Sequence, residues 1–386
     1  MKIVLSAQGK FHTFDLAREL YARGILAALF TAYPRFKLRN EELPQELIHT
    51  FPWVHGSYMA FPWKRHLPHS VVQQWEHLSA ISFGAWVERN LPECDLYVGH
   101  SGSALPAGKK AHQRGARYVC DRGSSHIRVY EQLLRQENER WGVPFLGLDP
   151  RDIAREEAEY DEADCITVPS DFARRSFLSQ GIPTDKIRVL PYGVNLSRFY
   201  PVAEPAEDRF DVLFAGGMSL RKGVQYLVQA YQKVHHHAKS LTFVGASSPE
   251  LIALLNARGL WPSDAKVLGH MPQTELKSLM SRSHVMVLPS VEEGLAMVQA
   301  QAMACGCPVI ASTNTGSEDL FTDGHEGYIV PIYDVDVLAE RLQRLADHPE
   351  VRTVMRQRAL AKVFSIGGWR DYGEKAIAIY KEVIQK

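Results

Sequence analysis

Glu293 and Gly294 fall where an apolar run gives way to a helical pattern, and a carboxylate beside a helix start can do chemistry. His284 to Pro289 predicts a buried strand, and Leu295 to Ala304 predicts a helix stopped by Gly306 and Pro308. Pro308 to Ser312 predicts the next buried strand. The first N–H groups of a helix lack intrahelical partners, so those of Gly294, Leu295 and Ala296 can hold an anion, and a glycine lets it approach closely. A carboxylate accepts several hydrogen bonds at once and suits vicinal hydroxyls. Phosphates and hydroxyls on one ligand describe a nucleotide sugar. The plainer alternative is a first-turn acid favoured by the helix dipole. Glu292 reads as a solvated neighbour.

The elements that position this junction repeat along the chain. At 386 residues the chain exceeds one ordinary core, and two domains are expected. Lys2 to Ser6, Ile25 to Phe30, Leu96 to His100, Arg117 to Asp121 and Cys165 to Pro169 read as buried strands with helices between them, such as Pro106 to Arg114 and Arg151 to Glu162. Arg188 to Glu207 breaks the rhythm with turn formers and reads as a linker. Alternation restarts with strands Asp211 to Ala215, Leu241 to Gly245 and Lys266 to Leu268, and helices Gly223 to His235, Pro249 to Arg258 and Gln273 to Ser281. Trp369 to Gln385 reads as a closing amphipathic helix. Such alternation implies an α/β fold with parallel sheets, and two such domains enclose a ligand cleft.

Composition removes several classes. Formal net charge is zero, which argues against nucleic acid as a partner. No apolar run approaches the roughly eighteen residues of a membrane span, and Met1 to Ser6 reads as a strand rather than a signal peptide. Five scattered cysteines suit reduced, packed thiols and a cytoplasmic location. His235-His-His237 reads as solvated rather than metal-binding. No G-x-G-x-x-G follows the first strand, which disfavours an NAD enzyme.

Several motifs in order resemble glycosyltransferase family 4: Ala163 to Ser170, Lys186 to Phe199, Arg221-Lys222-Gly223, Ser290 to Ser312 and Asn314 to Asp319. The resemblance is strongest from about Asp164 to Asp334 and weaker before it. It implies the GT-B fold: two facing Rossmann-like domains with parallel sheets, a cleft between them, and a C-terminal helix crossing back to the N-terminal domain. Residues 1–200 with 366–386 would form the acceptor-binding domain, and 206–365 the nucleotide-sugar donor domain.

The resemblance also implies roles. Glu293 would meet donor-sugar hydroxyls, and Lys222 with Arg221 would neutralise the departing diphosphate. Gly216-Gly217 stands where the family often has an arginine, so Arg221 compensates or the glycine N–H groups form a small nest. Gln301 replaces the family's second glutamate, which contacts ribose; the change is tolerated variation, an altered nucleotide preference or the mark of an inactive enzyme. His126 would touch the donor sugar, with Arg122, Ser124, Ser125 and His100 facing acceptor or donor hydroxyls. Gly9 and Gly316 would approach the donor, and Glu318 is as plausible as a helix cap.

These residues lead to the expectation of a retaining, metal-independent glycosyltransferase without a cofactor. Its acceptor would be a sugar or a lipid-linked molecule in polysaccharide or glycolipid assembly. The aromatic and basic segment Tyr33 to Trp75, with Lys64 and Arg65, would rest on the inner face of a membrane or pack an N-domain flap. The rivals are a nucleotide-sugar epimerase or phosphorylase on the same scaffold, and a non-catalytic nucleotide-sugar-binding partner.

Overall fold

A computed structural model describes residues 1–63 and 67–385. Lys64 and Arg65 lie outside the described residues. Thirteen strands are found among those described: β1 Ile3–Ala7, β2 Leu26–Thr31, β3 Ile48–Thr50, β4 Leu96–His100, β5 Arg117–Asp121, β6 Cys165–Val168, β7 Ile187–Val189, β8 Phe210–Ala215, β9 Lys239–Val244, β10 Ala265–Val267, β11 Val285–Leu288, β12 Val309–Ser312 and β13 Gly327–Val330. They form two sheets, ordered β3-β2-β1-β4-β5-β6-β7 and β10-β9-β8-β11-β12-β13. Every pairing is parallel.

Continuous apolar runs made the central strands legible, because helices cover both faces of a parallel sheet. Ile3–Ala7, Cys165–Val168, Val285–Leu288 and Val309–Ser312 are buried at every position. The strands not expected are the edges β3, β7 and β13. The edges β3 and β7 are only partly buried and carry no such run, whereas β13 is buried at every position but Ile329; β7 occupies the start of the expected linker, pairing Ile187 with Ile166. The helix His69–Asn90 also escaped notice, since its buried residues (Ser79, Ala80, Phe83, Gly84 and Val87) gather in its second half.

The strand order reverses between β1 and β4 in one sheet and between β8 and β11 in the other. Ligands of open α/β sheets bind beyond the carboxyl ends of the strands at such reversals. Trp369–Gln385 packs on the first domain's helix Thr13–Ala22, as expected of a crossing helix. There Gly373 lies so close that a methyl group would stand 2.6 Å from Cβ of Glu19.

Polar contacts also join the two halves. The buried carboxylate of Glu137 accepts from Gln225 at 2.6 Å and from the Tyr226 hydroxyl at 2.7 Å. Asp319 accepts from the Asp171 N–H at 2.9 Å, and Glu318 pairs with Arg175 at 2.8 Å rather than capping its own helix.

Candidate functional site

A cleft of about 1030 Å³ runs between the carboxyl ends of the two sheets. Arg221, Glu293, Gly294, Leu295 and Gln301 line its C-terminal side. Gly9, His12, His100, Arg122 and Ser124 line the other.

Gly223 shapes the C-terminal side of the cleft. Its φ is 70°, and a methyl group there would stand 1.9 Å from the Pro289 carbonyl oxygen. Only glycine lets this loop lie on the end of β11. The Val291 N–H pins it further by donating to the Arg221 carbonyl at 2.8 Å. Arg221 and Lys222 consequently converge on one carboxylate oxygen: Oε1 of Glu293 pairs with Arg221 at 2.8 Å and with the Lys222 ammonium. Burial would lower the pKa of Arg221, but Glu293, then Tyr130 and Glu292, hold it above its usual value. Lys222 sits behind Glu293 rather than on the cleft wall, with Gly216 beside its stem.

Glu292 is not a solvated neighbour. Its side chain is fully buried. Oε1 accepts from the Ser124 hydroxyl at 2.6 Å, the Ser125 hydroxyl at 2.9 Å and the Ser125 N–H at 3.2 Å, while Oε2 faces Arg221 at 3.3 Å. Glu292 thus ties the two domains together. The hydroxyls of Ser124 and Ser125, expected to meet an acceptor, are committed to it.

The helix after β11 starts at Met297, two residues later than expected, because Gly294 to Ala296 first crosses the domain boundary. The Ser170 hydroxyl donates to the Gly294 carbonyl at 2.5 Å. The Ala296 N–H donates to the Thr315 carbonyl at 3.3 Å, so Ala296 is not placed to hold an anion. The N–H groups of Gly294 and Leu295 have no partner among the described hydrogen bonds. Gly316 (φ 70°) supports this loop from beneath instead of lining the cleft; a methyl group there would stand 2.9 Å from the Gly294 carbonyl oxygen. Gly216 and Gly217 also lie off the cleft wall, and the Gly216 N–H is spent on Val244, which leaves no two-glycine nest. The Gln301 side chain reaches the cleft without a hydrogen-bond partner among the described residues. Gln299, two residues earlier, points inward to Thr315 and Ser317.

His126 is corrected more strongly. It is 2% exposed and does not line the cleft. Its Nδ1 caps a helix by accepting from the Arg128 N–H at 3.2 Å, and its ring packs against Tyr160 and Phe177. Burial drives its pKa down to about 4. This is a structural histidine. His100 does face the cleft, stacked on Phe11 with ring centroids 4.6 Å apart. Arg122 faces it too, but its guanidinium is held by Glu156 at 2.7 Å, Ser101 at 3.2 Å and the Ser125 carbonyl at 3.1 Å.

His12 and Asp121 were not singled out from the sequence. His12 Nε2 lies 2.7 Å from Asp121 Oδ2, and the Thr167 hydroxyl donates to Oδ1 at 2.8 Å. Burial alone would raise the Asp121 pKa, but His12, His100 and Thr167 together hold it below the usual carboxylate value. The sequence carried a partial signal, because His12 shares the first loop with Gly9 and Asp121 ends a buried strand. Their pairing spans 109 positions and needs the fold.

Other features lie beside the cleft chemistry. His77, Asp149 and Asp152 offer ligand atoms within 4.8 Å of one another, but Arg151 and Arg155 pair with the two carboxylates. Asp334-Val-Asp336 is a helix start: Asp334 caps the Val337 N–H, and Asp336 pairs with Lys233. In the aromatic segment Trp75 packs against Tyr58 and Phe61, whereas Trp53 is 76% and Trp63 65% exposed. No helix among the described residues is long and apolar enough to cross a membrane.

Residues 10–198 match the family described as Glycosyltransferase Family 4, and residues 199–362 the family described as Glycosyl transferases group 1. The α-D-kanosaminyltransferase of Streptomyces kanamyceticus is 30% identical over 181 residues. That match covers 46% of this chain and 47% of the relative, so the chain spans about half the relative's length. Among solved structures, sucrose-phosphate synthase from Thermosynechococcus elongatus is similar with a TM-score of 0.77 at 21% identity, over 100% of this chain and 99% of that one. HepE from Anabaena in complex with UDP-glucose is similar with a TM-score of 0.71 at 15% identity, over 99% of this chain and 100% of that one. At these identities the two structures speak for the fold, the GT-B arrangement of two facing Rossmann-like domains.

Proposed function

The chain belongs to glycosyltransferase family 4, the glycosyl transferases group 1, and from that premise we propose that it moves a sugar from a nucleotide-diphosphate donor to an acceptor hydroxyl, with retention at the anomeric carbon. The observation that carries this reading is the convergence of Arg221 and Lys222 on Glu293. When donor enters, its sugar hydroxyls take the Glu293 carboxylate and the two cations turn to the diphosphate. Negative charge gathers on the leaving nucleotide as the anomeric C–O bond breaks, and cations already in place lower that barrier. The reading assigns the neutralising charge to these side chains and so involves no metal. The departing phosphate oxygen takes the acceptor's proton as the new bond forms on the same face.

HepE, which shares the fold, is seen with UDP-glucose, and this supports a nucleotide sugar as the donor. The acceptor would enter from the N-terminal side as a sugar or lipid-linked molecule in polysaccharide or glycolipid assembly. Exposed Trp53 and Trp63 favour contact with the inner surface of a membrane on that side, with the protein otherwise cytoplasmic.

A panel of UDP-, GDP-, ADP- and dTDP-sugars, scored for hydrolysis and for transfer to added sugars, tests the reading. Calorimetric titration of the four free diphosphates separates the rivals. Binding of none of them favours a non-catalytic partner, and conversion of donor into an isomer without an acceptor favours an epimerase.

A further inference from the structure

Asp121 fixes which nitrogen of His12 carries a proton. Its carboxylate accepts from Thr167 on Oδ1 and meets His12 Nε2 on Oδ2. A carboxylate is only an acceptor, so Nε2 must be the N–H nitrogen, and the neutral ring then presents a lone pair at Nδ1. His12 stands at the N-cap of Thr13–Ala22, yet its side chain makes no capping bond. Nδ1 has no hydrogen-bond partner among the described residues, is not sealed from solvent, and belongs to a residue of the cleft wall.

Its position relative to the donor loop is set by Gly123. A methyl group on Gly123 would stand 3.1 Å from the Tyr192 hydroxyl, 3.6 Å from His100 Nε2 and 4.0 Å from His12 Cε1. One on Gly294 would stand 2.1 Å from the Gly123 carbonyl oxygen. One glycine's thickness therefore separates His12 from the loop that follows Glu293.

We propose that His12 Nδ1 is a hydrogen-bond acceptor for the sugar acceptor, taking a hydroxyl next to the one that reacts, with Asp121 as the positioning residue that sets its tautomer. The inference rests on the glycosyl-transfer reading above. It restricts the substrate class to a polyol that donates a hydrogen bond at this point; an analogue lacking that hydroxyl, or carrying it as a methyl ether, leaves the lone pair unmet. Asp121→Asn makes the decisive variant. Thr167 would hold the amide oxygen, leaving the amide N–H₂ to face Nε2 and moving the ring proton to Nδ1. The ring would then offer a donor where a donor already arrives.

The test uses the full chain labelled with 15N-histidine at pH 8, with the His12 resonances assigned from their loss in His12→Gln. The expected wild-type spectrum shows protonated Nε2 and bare Nδ1. With UDP present, adding D-glucose should shift Nδ1 in wild type and not in Asp121→Asn. With the donor selected by the panel, Asp121→Asn should lower the ratio of transfer to donor hydrolysis about tenfold, the scale of one lost hydrogen bond, while UDP affinity stays unchanged. A wild-type ring protonated at Nδ1, a Nδ1 resonance indifferent to glucose, or an unchanged ratio in a variant whose tautomer has switched would each overturn the proposal. The tautomer and glucose readouts need no turnover and remain decisive if Asp121→Asn does not fold. Failure of the wild type to bind any of the four diphosphates would count instead against the transferase reading.

Discussion

Gly294 of the C-terminal domain rests directly on Gly123 of the N-terminal one: a methyl group on Gly294 would lie 2.1 Å from the Gly123 carbonyl oxygen. Neither partner can yield cheaply, because the contact is with backbone and Ser170 grips Gly294 from the other side. Gly294→Ala is therefore expected to separate the domains while each keeps its own core. Small-angle X-ray scattering should show a larger radius of gyration than wild type. Donor affinity should fall by about tenfold or more, the scale of overpacking at a tight contact. An unchanged radius and affinity would mean that the closed arrangement is not the one that binds donor.

Glu293→Ala and Lys222→Ala should each remove transfer by about 10²–10³-fold, the scale of losing one preorganised charge partner. Unfolding temperature should change little, since both side chains keep some solvent exposure (13% and 17%). Full activity in both variants would overturn the assignment of the donor corner.

Gln301→Glu restores a charged acceptor at the cleft wall. If ribose is bound there, affinity for free nucleoside diphosphate should rise by on the order of 1 kcal/mol. Calorimetry of ribose and 2′-deoxyribose diphosphates against both proteins reads this directly. Equal affinities throughout would make Gln301 ordinary variation.

His126 makes an acid-stability prediction. Burial lowers its folded pKa to about 4, below the ordinary histidine value of 6.5. A depressed pKa gives stability that is complete above about 6.5 and is lost as pH falls towards 4, because only the unfolded chain binds the proton in that window. The loss is at most on the order of 3 kcal/mol. His126→Asn keeps a capping acceptor and removes the titration. Its unfolding temperature should fall less steeply between pH 6.5 and 4 than that of the wild type, and transfer at pH 7.5 should persist. A variant that folds but has lost transfer would return His126 to the catalytic set.

The sequence alone determined the two-sheet architecture, because strands covered on both faces must be continuously apolar, as Ile3–Ala7 and Val285–Leu288 are. It also marked the residues that gather around Glu293. Arg221, Lys222, Glu293 and Gly294 sit at strand–helix junctions, and such junctions collect at one edge of a parallel sheet whatever the packing details. Tertiary structure alone decided which neighbours face the ligand. Glu292 and Glu293 are adjacent in the chain, yet one is sealed between the domains and the other borders the cleft. Beyond the end of a strand no periodicity fixes where a side chain points. His126 matched its family position but was drawn into the core by Tyr160 and Phe177. His12 became a candidate only when folding brought it to Asp121. Local pattern follows from neighbours in the chain; the orientation of a loop side chain follows from partners far along it, and only the folded molecule brings them together.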